Sequence, residues 1–179
     1  MQFTRSIVLV RHGETEWNRA GILQGWRDSR LTQKGIQQIR QSARKVFKYQ
    51  SNNPFPIYTS DLGRSLSSAR ILANELGGYL VVDKRLRERE FGELGGKPLG
   101  ADFVRKNKKM PETIERYHSR IQAFINAVSQ QQSDQPVIVV GHGEWIRTWQ
   151  QMYIGCAEVS LPKNGDIIVG KLESGKKAS

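Results

Sequence analysis

The chain has 179 residues, 37% hydrophobic and 25% charged, which suits one globular domain (1–179) with a single core and excludes a disordered chain. No apolar run reaches the roughly 20 residues of a membrane helix, and the lone Cys156 excludes an internal disulfide. A net charge of +11 favours anionic partners: phosphorylated metabolites, nucleic acid or a membrane surface.

Part of that charge sits in an expected loop (Arg105, Lys106, Lys108, Lys109) and an expected frayed tail at 174–179. A nucleic-acid module interleaves aromatic with basic residues, whereas the tryptophans and tyrosines here fall in apolar patterns, which disfavours nucleic acid. The N-terminus runs straight into a strand pattern, so no signal peptide is expected. With one cysteine, the expected setting is a reducing cytoplasm, with no membrane partner.

In chain order, Ile7-Val8-Leu9-Val10 reads as a buried strand that stops at Arg11-His12-Gly13. Thr32 is placed to cap a helix carrying Ile36, Ile39, Ala43, Val46 and Phe47 at helical spacing. Pro56 to Thr59 reads as a short strand, and Ser60 or Asp61 is expected to cap the helix bearing Leu62, Leu66, Ala69, Ala73 and Leu76. Gly77-Gly78 ends that helix, and Leu80-Val81-Val82 is a third strand. From Arg85 to Lys109 the pattern fails, and residues 93–113 are expected to form a short covering segment. Pro111 is expected in the first turn of a long helix with Ile114, Tyr117, Ile121, Phe124, Ile125 and Val128 on one face. Val137 to Val140 forms a second strongly apolar strand, ending in Gly141-His142-Gly143. A helix with Trp145, Trp149 and Met152 follows, then a last strand from Asp166 to Leu172.

Strands alternating with helices give an α/β fold, a three-layer sandwich in which a mostly parallel sheet is covered by helices on both faces. Ligands of such folds bind beyond the carboxyl ends of strands, where both histidine tripeptides fall.

A neutral His12 can attack phosphorus if cations offset the charge on the phosphoryl oxygens. Arg11 is adjacent, and Gly13 is expected to let the backbone turn and approach a ligand. His142, at an expected helix N-terminus, can when protonated donate to the same group. Arg64, in the first turn of the helix after Thr59, points to the same edge. Glu88 can protonate a leaving alkoxide, although Arg87 and Arg89 pull its pKa down unless burial raises it. Each residue alone has a plainer reading: a turn histidine, a cap, a solvated arginine, a surface ion pair. His118, mid-helix with no such surroundings, reads as structural.

Together these residues resemble the histidine phosphatase superfamily, which contains the cofactor-dependent phosphoglycerate mutases. The likeness rests on Leu9 to Asn18, Leu23-Gln24-Gly25, Leu31-Thr32 with Gly35, Ser60 to Arg64, Leu86 to Arg89 with Phe91-Gly92, and Gly141 to Gly143 with Ile146-Arg147, in family order. The resemblance implies a phosphoglycerate mutase-like fold and a phosphorylated nucleophile at His12. It implies that Arg11, Arg64 and His142 complete the phosphate pocket, that Glu88 is the proton donor, and that Asn18, Gln24, Gly25 and Gly143 line the same pocket. Glu90, Glu93 and Glu144 stay open as alternative donors. It further implies a metal-independent enzyme with no cofactor and a small phosphorylated substrate.

Three departures bear on activity. The stretch between Glu88 and His142 is shorter than in the mutases, Phe91 stands where they have tyrosine, and Glu144 puts a carboxylate where small or amide residues are usual. A shorter cover favours hydrolysis over return of the phosphoryl group to substrate. The expectation is therefore a phosphatase, with a phosphoglycerate mutase and a non-catalytic anion- or RNA-binding protein as the rivals.

Overall fold

Ile7 to Val10 are fully buried in β1 (Thr4–Arg11), because the computed structural model covers both faces of this strand with helices. The structure describes residues 4–49, 54–98, 110–155 and 158–173. The expected tail at 174–179, Cys156 and residues 99–109 of the expected covering segment lie outside the described residues.

Alternate β1 side chains enter opposite cores. Val8 and Val10 pack with Ile39, Ala43 and Val46 of α2 (Gln33–Val46) and with Ala69, Leu72 and Leu76 of α3 (Gly63–Leu76). Ile7 and Leu9 pack instead with Tyr117, Ile121 and Phe124 of α4 (Ile114–Ser129) and with Trp145 and Trp149 of α5 (Gly143–Ile154). β4 (Val137–Gly141) repeats the pattern, with Ile138 and Val140 on the α2–α3 side and Val137 and Val139 on the other. The three-layer α/β sandwich is therefore present.

The sheet has the order β3-β2-β4-β1-β5, with β2 (Pro56–Thr59), β3 (Tyr79–Val82) and β5 (Ile167–Glu173). Pairs β1–β4, β2–β4 and β2–β3 are parallel, and β5 runs antiparallel along β1. After β3 the chain reverses its direction of travel and inserts β4 between β1 and β2. Residues Arg11 and Gly141 are in register, so the residues that follow them, His12 and His142, emerge side by side at one sheet edge.

Several local expectations need correction. Neither Ser60 nor Asp61 caps α3: its N-cap is Leu62, which makes no side-chain cap bond, and Asp28 from a distant loop accepts from Gly63 N at 2.6 Å instead. Pro111 lies outside α4, whose N-cap is Thr113 accepting from Arg116 N, and Ile114 is exposed rather than on the core face. Phe47 has left the helix for a short 3-10 turn and is 63% exposed. Thr32 caps α2 as expected, accepting from Gly35 N at 2.9 Å, and Gly77 ends α3 at φ +70°.

Gly13 serves close backbone packing. A Cβ on Gly13 would lie 2.4 Å from the Gly35 carbonyl oxygen, and one on Gly35 would lie 2.1 Å from that of Glu14. This backbone contact seats the start of α2 against the turn behind His12. Ala ordinarily strengthens a helix over Gly by about 1 kcal/mol. Gly35→Ala is expected to do the opposite, lowering stability in chemical denaturation by about 1–3 kcal/mol through overpacking.

Candidate active site

His12 follows the last residue of β1 and is buried, and its Nδ1 lies 2.8 Å from the Gly13 carbonyl oxygen. A carbonyl only accepts, so Nδ1 carries the hydrogen and the Nε2 lone pair is left available. Burial first, then the charges of Arg64 and Arg11, hold the His12 pKa well below the usual histidine value. The imidazole is thus neutral at physiological pH.

The His142 ring stands 5.4 Å from the His12 ring, centroid to centroid, edge-on at 60°. Its Nε2 is 2.7 Å from Ser60 Oγ, and its Nδ1 is buried with no partner. The Leu62 N–H also points at Ser60 Oγ from 3.4 Å, so the hydroxyl bridges Leu62 and the His142 ring. Burial, then Arg64, His12 and Arg11, depress this histidine as well. The direction favours a neutral ring, and Nδ1 is the ring nitrogen left without a partner.

Arg64, in the first turn of α3, is held by three acceptors: the carbonyls of Arg27 and Gly25, each at 2.7 Å, and Asp28 Oδ1 at 2.8 Å. Arg11 donates from Nη1 to the Pro162 carbonyl, and a Cβ on Gly143 would come within 3.1 Å of its guanidinium, so glycine makes room there. Both arginines keep a buried Nε–H without an acceptor. Buried donors are nearly always satisfied, so unsatisfied ones beside a neutral imidazole mark a place for an anion.

A cleft of about 440 Å³ opens over these groups. Of the expected residues, Arg11, His12, Asn18, Gln24, Gly25, Arg64, Glu88 and Gly143 line it, with His142 behind the His12 ring. Asn18 Oδ1 accepts from Thr15 N and from Asn164 Nδ2, both at 3.2 Å, which turns its amide nitrogen to the cleft. Gln24 reaches the wall with its Nε2 donating to Thr15 Oγ1 at 2.9 Å. Phe91 and Met110, at either end of the segment that includes the undescribed residues 99–109, also line the cleft.

Glu88 accepts from Arg89 N at 2.9 Å and Tyr117 Oη at 3.3 Å through Oε1, and from Glu144 N at 3.2 Å through Oε2. Burial raises its pKa above the usual carboxylate value, outweighing Arg64, and the charge of Glu144 adds to the rise. Glu90 and Glu93 are absent from the cleft lining, whereas Glu144 is part of it.

Sequence reasoning missed the residues that hold these groups in place. Asp28 clamps Arg64 and caps α3, Ser60 orients His142, and Asn164 donates at 3.0 Å to the His12 carbonyl. Arg120 braces the Glu88 loop, donating to the carbonyls of Arg85, Arg87 and Glu88 and to both oxygens of buried Glu112. The only signal was polar residues in turn-like or helical settings, where solvation is the default reading.

Fold and site define a class: an α/β protein with paired strand-end histidines and two arginines at one cleft. The model of the histidine phosphatase superfamily (branch 1) matches residues 7–164, and the chain belongs to that family of phosphoryl-transfer enzymes. A Hydrogenobacter thermophilus protein named as a phosphoserine phosphatase is 33% identical over 78% of this chain and 73% of its own length. An Enterobacter protein (strain 638) named as a phosphoglycerate mutase is 46% identical, over 49% of this chain and 40% of its own. Among solved structures, a mycobacterial glucosyl-3-phosphoglycerate phosphatase superposes with a TM-score of 0.76 at 25% identity, covering 92% of this chain and 90% of that one. A Bacillus anthracis phosphoglycerate mutase shares the fold with a TM-score of 0.80 at 22% identity, over 96% and 89% of the two chains.

The Asp28 clamp yields a test. Asp28→Ala should leave Arg64 without its carboxylate and α3 without its cap, lowering stability by about 1–3 kcal/mol. That corresponds to a Tm fall of roughly 2–10 °C by calorimetry, with a rise in KM for any phosphorylated substrate.

Proposed function

We propose that this protein is a phosphatase that hydrolyses small phosphomonoesters through a phosphohistidine on His12. The observation that carries the reading is the His12 tautomer, with Nδ1–H bound by the Gly13 carbonyl and Nε2 unprotonated among Arg11, Arg64 and His142. In the first step the Nε2 lone pair forms a bond to phosphorus as the bond to the leaving oxygen breaks. That oxygen keeps the electron pair and takes the Glu88 proton. In the second step water attacks phosphorus, its proton returns to Glu88, and the P–N pair returns to Nε2. Arg11, Arg64 and the Nδ1–H of His142 meet the phosphoryl oxygens.

In this reading arginine and histidine donors do the charge work a metal would otherwise do. Among the described residues no group of three or more His, Cys, Asp or Glu side chains is placed to hold a metal. No helix among them is long and apolar enough to cross a membrane, and the proposed setting is the cytoplasm. The relatives named as phosphatases support hydrolysis. The mutase reading draws on the partial match to the Enterobacter protein, and a coupled assay with and without a bisphosphate primer separates the two.

Wild-type protein should hydrolyse p-nitrophenyl phosphate and carry an acid-labile phosphoryl label after quenching, and His12→Ala should lose both. Near-wild-type turnover by His12→Ala would remove the nucleophile assignment. Wild type that binds nucleic acid with a steep salt dependence yet hydrolyses no phosphoester would favour the anion-binding rival.

The pKa directions set a pH profile. His12 is depressed, so its neutral, reactive form survives below pH of about 6.5. Glu88 is raised, so its acid form is lost only as pH rises through a value above the normal carboxylate range. Turnover of an alkyl phosphate, a poor leaving group, should peak at acidic pH and fall on the alkaline side. Glu88→Gln should abolish that alkaline limb and slow alkyl phosphates by about 10²–10⁴-fold, with a much smaller loss on p-nitrophenyl phosphate. Equal losses on both would reassign the proton donor.

A further inference from the structure

Two residues of α4, one helical turn apart, act on Glu88. Arg120 fixes the backbone of its loop, donating to the Glu88 carbonyl at 2.9 Å and to those of Arg85 and Arg87. Tyr117 reaches the carboxyl group instead, with its Oη 3.3 Å from Glu88 Oε1. The phenol is fully buried and absent from the cleft lining, so it meets Glu88 from the core side. Its ring lies under the Arg120 guanidinium, whose Cζ is 4.6 Å from the ring centroid.

The two carboxyl oxygens of Glu88 keep different company. Oε1 takes the Arg89 N–H at 2.9 Å as well as the Tyr117 hydroxyl, which fills both of its lone-pair positions. Oε2 takes one donor, the Glu144 N–H at 3.2 Å, and so lies beside a residue that lines the cleft. A buried phenol O–H needs an acceptor. Burial, then the charge of Glu88, raises the Tyr117 pKa well above its ordinary value, so the hydroxyl keeps its hydrogen and donates. An acidic proton on Glu88 is thereby left to Oε2, the oxygen placed to pass it on.

We propose that Tyr117 is a positioning residue for the proton donor, occupying Oε1 so that the transferable proton of Glu88 sits on Oε2 at the cleft. The inference rests on the phosphatase reading. The proton leaves Oε2 for the departing ester oxygen, and the carboxylate left behind keeps its bonds from Arg89 N, Glu144 N and the Tyr117 hydroxyl. Charges on neighbouring elements also act here. Arg64 of α3 and Arg11 of β1 favour ionised Glu88, Glu144 of α5 favours its neutral form, and Arg120 and Glu112 act on Tyr117. Removing a neutral hydroxyl alters none of these charges. The competing account is a core ring whose hydroxyl merely lies near Glu88, and it predicts no effect on proton transfer.

Tyr117→Phe keeps the ring and removes the hydroxyl alone. A donor to the ionised carboxylate favours that form, so its loss should raise the Glu88 pKa. The alkaline limb of alkyl phosphate turnover should then move up by roughly half to one pH unit. With the proton free to rest on either oxygen, kcat for the alkyl phosphate should fall about three- to tenfold, the scale of one hydrogen bond. Turnover of p-nitrophenyl phosphate should stay close to wild type. In a Glu88→Gln background the same substitution should cost nothing further. The position of the limb is independent of the active fraction, so a partly misfolded variant still reports. An unmoved limb, an equal loss on both esters, or a loss that persists without the Glu88 carboxyl overturns the proposal. If wild type turns over p-nitrophenyl phosphate in that case, the phosphatase reading stands and only the role of Tyr117 falls. If wild type hydrolyses neither ester, both fall.

Discussion

One hydrogen bond decides what this site can do: the contact between His12 Nδ1 and the carbonyl of its own neighbour, Gly13. It fixes which nitrogen carries the hydrogen, and so which presents a lone pair. The bond depends on the backbone after β1 holding one conformation. That conformation is held by the close approach of Gly13 to Gly35, by the Gly13 N–H donating to Ser68 Oγ at 3.1 Å, and by the His12 N–H reaching the Gly141 carbonyl at 2.9 Å. Helix α2, helix α3 and strand β4 thus all bear on the orientation of one ring.

The electrostatics around that ring are a managed imbalance. Arg64 is buried and Arg11 partly so, with only one carboxylate among the described residues, Asp28, bonded directly to either guanidinium, and after burial itself they push both histidines toward the neutral state. An isolated buried cation is costly, so each guanidinium is tied down on one side by backbone carbonyl oxygen while its buried Nε–H is left unsatisfied. Binding an anion relieves that cost. The same burial that pushes the His12 pKa down pushes that of Glu88 up, so one environment favours the neutral form of both the proposed nucleophile and the proposed acid.

Much of this was legible in the sequence because its signals are local. Apolar strands ending in His-Gly, Thr32 before a helix and Gly77 after one each announce a backbone geometry within a few residues, and the alternation of elements implies which edge they share. The supporting residues could not be read that way. Asp28 acts on Arg64 from 36 positions away, Asn164 on Asn18 from 146 and Arg120 on the Glu88 carbonyl from 32. Their partners are fixed by the fold, not by neighbours in the chain. The misplaced cap of α3 has the same origin, since Ser60 and Asp61 looked like caps but are taken by His142 and Arg87. Phe47 misled for a different reason: helical spacing continues in sequence after the helix has tightened and turned its side chains outward.

Strand β5 lies along the flank of β1, and the loop leading into it, residues 162–166, touches Arg11 and His12 at several points. The Pro162 carbonyl takes the Arg11 guanidinium, Asn164 bonds the His12 carbonyl, and the Arg11 N–H donates to the Asp166 carbonyl at 3.0 Å. The histidine after β1 is therefore seated by a segment 152 positions further along the chain. Without β5 alongside it, β1 would have an open flank and the turn after it would lack these three contacts, so the surroundings of the ring depend on closure of the sheet.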